Sequence, residues 1–412
     1  MLRRRKKKNN FLFILISLLI IVLAIGAYFI FGKEDKNVPI VENNEQNNEQ
    51  NNVTNNSEKK TISKMTFIAA GDIMFHDDQL DSAYDKENDS YDFNPFFEYV
   101  TPYFTEADLA VANFETTLGG DTINYTGYPI FNSPDSVIDA VKNAGIDLVT
   151  TSNNHSFDTG LNGLKRTAQQ LKKHDLDFIG TYEEKPDSRI KMKEINEIKV
   201  GLLAYTEMIN KQDQLGLSDD EIQDAINLMD KDRIVKDTAE AKENGADIII
   251  AFMHWGVEYS QEPSAAQKEY AQFMAEQGVD IIIGSHPHVI QKSDRLETND
   301  TFIVYSLGNF ISNQRRETLG DEFKRTEDGA MVKIELEKNL ETDDTYIRDI
   351  DYIPTWVSKN ETEVDGKYDY RIIPIKQFLE EEASFEDTKD IDENRLKESL
   401  EATEKYLNTY IK

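Results

Sequence analysis

A chain of 412 residues with 77 acidic against 46 basic side chains carries a formal charge of −31, too long for one small binding module and too acidic for a phosphate backbone. No cysteine is present, which excludes disulfides, thiolate metal sites and a cysteine nucleophile and leaves His, Asp, Glu and Asn as metal ligands. Nucleic acid is therefore not an expected partner.

The charge is unevenly spread. Residues 1–32 hold six basic and no acidic side chains, so the rest of the chain is net negative by 37. A tail over residues 1–10 carries Arg3-Arg4-Arg5-Lys6-Lys7-Lys8, and the 22 uncharged residues from Phe11 to Gly32 follow it. As a helix rising ~1.5 Å per residue, that run spans roughly the ~30 Å hydrocarbon core of a bilayer. A secretory signal has a shorter apolar core of ~7–15 residues and a small-residue cleavage site. Here the run exits through Tyr28-Phe29-Ile30-Phe31-Gly32-Lys33-Glu34, which predicts an uncleaved, single-pass anchor. The positive-inside preference keeps the N-terminus cytoplasmic and sends the C-terminal domain outside the cell membrane. Residues 33–61 are dominated by Asn, Glu and Gln and cannot bury enough surface to offset their ordering entropy, so they read as a disordered linker.

Over residues 62–377, apolar runs of strand length recur: Met65–Ala70, Leu109–Ala112, Ile146–Thr150, Leu176–Ile179, Val200–Tyr205, Ile248–Phe252, Val279–Ile283 and Phe302–Tyr305. Helical patterns, among them Gly163–Lys173 and Ala265–Gln277, lie between them. Continuous apolar strands alternating with helices predict an α/β fold whose sheets are covered on their faces. Residues 378–412 are acidic, with Leu396, Leu400, Leu407 and Ile411 at helical spacing, and predict one surface helix on a narrow apolar stripe.

Polar motifs follow the strands: Gly71-Asp72-Ile73-Met74-Phe75-His76, Asn113-Phe114-Glu115, Ser152-Asn153-Asn154-His155, His254-Trp255-Gly256, Gly284-Ser285-His286-Pro287-His288 and Ser306-Leu307-Gly308-Asn309. Five of the six histidines sit on these strand ends, and the sixth, His174, closes a helix. A divalent metal wants nitrogen and oxygen ligands from several directions, which a rigid sheet edge supplies. In His286-Pro287-His288 the two rings point to different sides of an extended segment, so one chain can serve two ions. Taken singly, each motif is as well explained by a helix cap, a turn or a hydrogen-bonded histidine; six together predict a two-metal site.

This ordered series resembles the CapA family, capsule proteins of poly-γ-glutamate synthesis within the calcineurin-like metallophosphoesterase superfamily, over about residues 64–335. The resemblance implies a four-layer α/β/β/α sandwich and two divalent ions such as Mn, Zn or Fe. It places Asp72, Glu115, Asn154, His254, His286 and His288 as metal ligands and His155 as the catalytic general acid. Two positions depart from the pattern. Met74 stands where the superfamily has a ligand histidine, with His76 an alternative, and Glu115 replaces a bridging Asp. Trp255, Glu258 and Tyr259 resemble positions around the pocket, with ordinary packing the alternative for Trp255 and Tyr259. Asn309 would orient a ligand histidine. Arg315, Arg316, Lys324 and Arg325 would either receive an anionic substrate or form a solvated loop. The implied protein is a membrane-anchored, extracytoplasmic component of capsule assembly in a bacterial, Gram-positive envelope, with a phosphoesterase-like hydrolase site. The alternative is a non-catalytic accessory subunit that docks on the synthase membrane subunits and handles anionic polymer.

Overall fold

The computed structural model describes residues 61–364, 366–381, 385 and 391–407. The basic tail, the anchor expected at 11–32, nearly all of the linker and Ile411 lie outside the described residues. Among the described residues no helix is long and apolar enough to cross a membrane. Sixteen strands occur among them: β1 (Ile62–Ile73), β2 (Tyr84–Asp85), β3 (Ser90–Tyr91), β4 (Leu109–Phe114), β5 (Leu148–Thr150), β6 (Asp177–Ile179), β7 (Lys191–Ile195), β8 (Ile198–Thr206), β9 (Ile248–His254), β10 (Ile281–Ser285), β11 (Ser293–Leu296), β12 (Thr301–Val304), β13 (Asn309–Ile311), β14 (Asp328–Asn339), β15 (Thr345–Glu361) and β16 (Tyr368–Pro374).

One sheet runs β16-β15-β14-β1-β4-β5-β6, with β13 also pairing β1, and the other runs β11-β12-β10-β9-β8-β7. Side chains alternate between two apolar layers on every central strand. Phe67, Ala69, Leu109 and Val111 of the first sheet meet Leu202, Ile250, Phe252 and Ile283 of the second. Ile68, Ala70, Ala110 and Ala112 face the opposite way, onto Phe97, Phe104, Ile138 and Val141 of the helical segments. Ile249, Ala251, Met253 and Ile282 in turn face Ile234 and Ala241 of helix Lys231–Glu243 and Ala271 and Met274 of helix Ala265–Gln277. The result is helices, sheet, sheet, helices in four layers. It explains why the central strands are apolar throughout: both faces are buried.

A repeated device starts the parallel strands. Asp108, Asp147, Asp247 and Asp280 each precede a strand, and each carboxylate accepts a backbone N–H of the neighbouring one, from Thr66, Ala110, Lys199 and Ile249 at 2.7–2.8 Å. The backbone N–H of each Asp returns a bond to the carbonyl of the same residue. Three of the four stand in Gly-x-Asp, where Gly145, Gly245 and Gly278 hold positive φ of 78–91°, the left-handed conformation that ends a helix without a Cβ penalty. Each staple sets the level at which its strand begins, so the strands' far ends come out along one edge.

The antiparallel part, β14 to β16, was not among the expected strands. Its first two members carry alternating charge, as in Lys333-Ile334-Glu335-Leu336-Glu337 and Arg348-Asp349-Ile350-Asp351, because one face of that flank is open to solvent. The segment expected as one helix over 378–412 contains helix Glu393–Leu407, with a separate short helix, Ile375–Glu380, starting before it. Leu396 and Leu407 are buried on the body of the fold, so this helix is packed rather than solvated.

Candidate metal centre

Asp72 leaves β1 between two neighbours, in register with Asn113 of β4 on one side and Asn309 of β13 on the other. The ladder shifts register on both sides at this point, an irregularity of the kind that re-aims a side chain. Gly71, just before it, packs its bare α-carbon against the carbonyl of Gly308, where a Cβ would collide with backbone. That contact lets β13, which follows a strand of the second sheet, cross over and lie beside β1. Glu115 follows β4, Asn154 and His155 follow β5, His254 ends β9, and His286 and His288 follow β10. His286 and His288 have positive φ of 93° and 57°, a strained backbone of the sort found where the surrounding structure holds a site in place.

These side chains meet. His254 Nε2 lies 2.8 Å from Asn154 Oδ1, 3.1 Å from His286 Nδ1 and 3.6 Å from Glu115 Oε1. His288 Nε2 lies 3.8 Å from the same Glu115 oxygen, and its Nδ1 is 3.2 Å from Asp72 Oδ2. Three ligand groups result, Glu115–His254–His286, Asp72–Glu115–His288 and Glu258–His286–His288. The first two share Glu115. Metal–ligand bonds of ~2.0–2.2 Å put donor atoms roughly 3–3.5 Å apart around one ion, which is the spacing observed. Glu115 Oε1 is buried and accepts no hydrogen bond, a costly state for a carboxylate that a cation would relieve. The donor set, neutral imidazole with carboxylate and amide oxygen, suits divalent metal binding.

The electrostatics agree with a site built for positive charge. Burial, then the nearby Asp72 and Glu258, raise the Glu115 carboxyl well above its ordinary range. Burial, then His286 and His288, hold His254 far below the usual imidazole value, and burial with His288 lowers His286 to about 3. Both rings are therefore neutral and ready to donate lone pairs. Asn309 decides which nitrogen His288 offers. Its Nδ2 donates to Thr326 O and Gln314 Oε1, both at 3.0 Å, so its Oδ1 must face His288 Nδ1 at 3.1 Å. The proton then resides on Nδ1, and Nε2 is left to face Glu115.

Other expected residues fall into place or out of it. His155 Nδ1 is 2.7 Å from Asp158 Oδ2, which also accepts the Phe131 N–H; this fixes the ring. Glu258 is exposed at the rim of the ligand cluster. Tyr259, its hydroxyl raised to about 12 by burial and Glu258, has its ring 6.2 Å from that of His288. His76 is not among the ligand groups. Its Nδ1 accepts the Asn313 N–H at 3.2 Å, and burial holds it at about 4 as the capping residue of helix Asp77–Ala83. Trp255 is core rather than pocket: fully buried, it stacks on Tyr305 and donates to its carbonyl at 3.1 Å. The basic cluster is ion-paired, Arg315 with Glu317, Arg316 with Glu327, Lys324 with Glu398 and Arg325 with Asp328, in a loop that is largely exposed between Glu317 and Glu322.

Three contributors had gone unassigned. Asn113 donates from Nδ2 to Asp72 Oδ1 at 2.8 Å and Glu115 Oε2 at 3.2 Å, and Thr150 fixes its carbonyl oxygen. Asp158 orients His155. Asn210 lies 3.4 Å from both ring nitrogens of His155, and its backbone N–H binds the Asn154 carbonyl at 2.9 Å. The spacing of Asp158, three residues after His155, was the one signal available beforehand.

Residues 66–314 match the family described as bacterial capsule synthesis protein PGA_cap. The chain belongs to this family. As a PGA_cap protein it is 31% identical over 292 residues to the capsule biosynthesis protein CapA of Bacillus anthracis, covering 67% of this chain and 65% of that one. It is 30% identical over 249 residues to the PGA biosynthesis protein CapA of Bacillus subtilis (strain 168), covering 59% and 61%. The match thus spans somewhat under two thirds of each relative's length. Among solved structures it is similar to the calcineurin-like phosphoesterase YfkN from Bacillus subtilis, with a TM-score of 0.44 at 15% identity over 82% of this chain and 99% of that one. It is also similar to the NAD nucleotidase NadN of Haemophilus influenzae, with a TM-score of 0.44 at 11% identity over 84% and 67%.

Proposed function

We propose that this capsule synthesis protein is a metal-dependent phosphoester hydrolase, anchored in the membrane by residues 11–32 and acting outside the cell in assembly of a poly-γ-glutamate capsule. The observation that carries the hydrolase reading is the sharing of one buried, unpartnered Glu115 oxygen between two adjacent ligand groups. Two adjacent divalent ions would supply an activated water and neutralise charge on a transferring phosphoryl group. Asp72, Glu115 and His288 would hold one, and Glu115, Asn154, His254 and His286 the other. Asn113 keeps the two carboxylates apart and aimed. His155 in its doubly protonated form, with the Nδ1 proton held by Asp158, would hand its Nε2 proton to the departing oxygen and be left as the neutral ring. The anchor and the export of the domain rest on the charge and hydropathy pattern of residues 1–32, and the docking on synthase subunits rests on the family resemblance alone.

The test is hydrolysis of simple phosphomonoesters and phosphodiesters by purified protein loaded with Mn²⁺ or Zn²⁺. Turnover abolished by His286→Ala is the expected result; no turnover, or turnover indifferent to that change, sinks the hydrolase reading. Capsule formation rescued in a deletion strain by the same variant would establish the accessory-subunit alternative.

A further inference from the structure

With the four cations of the 315–325 segment consumed by ion pairs, an anionic substrate needs another receiver. A cleft of about 360 Å³ opens beside the ligand groups and is lined there by His155 and Glu258. Tyr128, Pro129 and Ile130 give it an apolar wall, with Tyr128 66% and Ile130 43% exposed. Lys211 is the sole cation lining it. Among the described residues no carboxylate pairs with Lys211. Its backbone stands at φ 50°, ψ 36°, a left-handed conformation that costs a side chain and would cost glycine nothing. The lysine thus stands in a backbone conformation that disfavours any side chain. Its loop is also fixed to the site, because the preceding residue, Asn210, is bonded to Asn154 and touches His155.

We propose that Lys211 selects phosphoesters whose leaving group carries a second anionic group, with Tyr128-Pro129-Ile130 packing on the apolar part between. This deepens the hydrolase reading and rests on it for its catalytic consequence. A domain this acidic repels anions at long range, but screening over ~8 Å at physiological salt lets one local amine decide the matter.

The experiment uses the full chain in detergent with Mn²⁺ and measures calorimetric binding of phenylphosphonate, 3-carboxyphenylphosphonate and 1,3-benzenediphosphonate. The doubly functionalised probes are expected to bind about fivefold tighter, the strength of one exposed ion pair. Lys211→Met brings that ratio to near one, Lys211→Arg retains it and Lys211→Glu inverts it. The carboxylate and phosphonate arms tell which anion is preferred. A wild-type protein without the preference, or binding none of the probes, overturns the proposal, as does a preference that survives Lys211→Met. Hydrolysis of the matching phenyl phosphates is read separately: discrimination without turnover refutes the hydrolase reading alone, and turnover without discrimination refutes the Lys211 subsite alone.

Discussion

Glu115 has a buried oxygen, Oε1, that accepts no hydrogen bond. Its carboxyl is raised by burial and by Asp72, whereas His254 and His286 are lowered. Metal uptake near neutral pH should therefore release protons from Glu115 and none from those histidines. Calorimetry in buffers of different ionisation enthalpy counts them, and the count should fall in Glu115→Gln along with at least ~10-fold of affinity. Asn309 sets the tautomer of His288, so Asn309→Ala should weaken Mn²⁺ binding about 10–100-fold, as measured by competition with a chelating dye. The histidines that gather at 254, 286 and 288 could be singled out beforehand because each ends or follows a continuous apolar strand. Asn113 could not, since an asparagine after a strand is most often a turn residue, and its task depends on Thr150, Asp72 and Glu115 being neighbours in space. For Trp255 and the 315–325 cations, where packing and a surface loop stood beside substrate contact as readings, the chemical type was visible and the partner that absorbs it was not.

The aspartate staples belong to the strands rather than to the site. Asp280 bonds the Ile249 N–H, yet burial lifts its carboxyl from 3.8 to about 6. A carboxyl raised on folding contributes stability that is fully present below pH ~4 and lost as pH rises through about 6. Asp280→Asn keeps an acceptor for Ile249 and removes the cost of ionisation. The variant should match the wild type near pH 4 and exceed it by about 1–3 kcal/mol at pH 7–8, read from urea midpoints across that range. A wild-type profile flat from pH 4 to 8 would contradict this. The parallel strands were legible from apolar continuity, and helix Ala265–Gln277 was legible to the residue because Ser264 and Gln267 form a capping box and Gly278 closes it. Strand β15 was not: Pro354 and five charged residues hide a strand that is well buried only in its second half.

The last helix, Glu393–Leu407, is tied to the fold on two fronts. Leu396 and Leu407 enter apolar clusters. Arg395 reaches Glu327 at 2.6 Å and Glu317 at 2.7 Å. The Glu327 side chain is 1% exposed and keeps Arg316 and the Trp356 N–H as partners, so Arg395→Ala removes one charge-assisted bond and should cost ~1.5–3 kcal/mol, measured by denaturant unfolding. Removal of residues 391–412 should lower thermal stability further still, by uncovering apolar surface as well. The amphipathic spacing had signalled the helix, but not its seat, because sequence periodicity names an apolar stripe without naming what covers it.

The crossing of β13 onto β1 has a consequence in time. Asp72 emerges early from the ribosome, and the histidines at 286 and 288, with the asparagine that orients the latter, emerge late; the candidate ligand groups come together only after that returning segment has docked beside the first strand. A polypeptide that stops short of β13 does not assemble the candidate site. Cation uptake there would thus report the docking of that segment, and an isotope-labelled ion chased into nascent protein would date it.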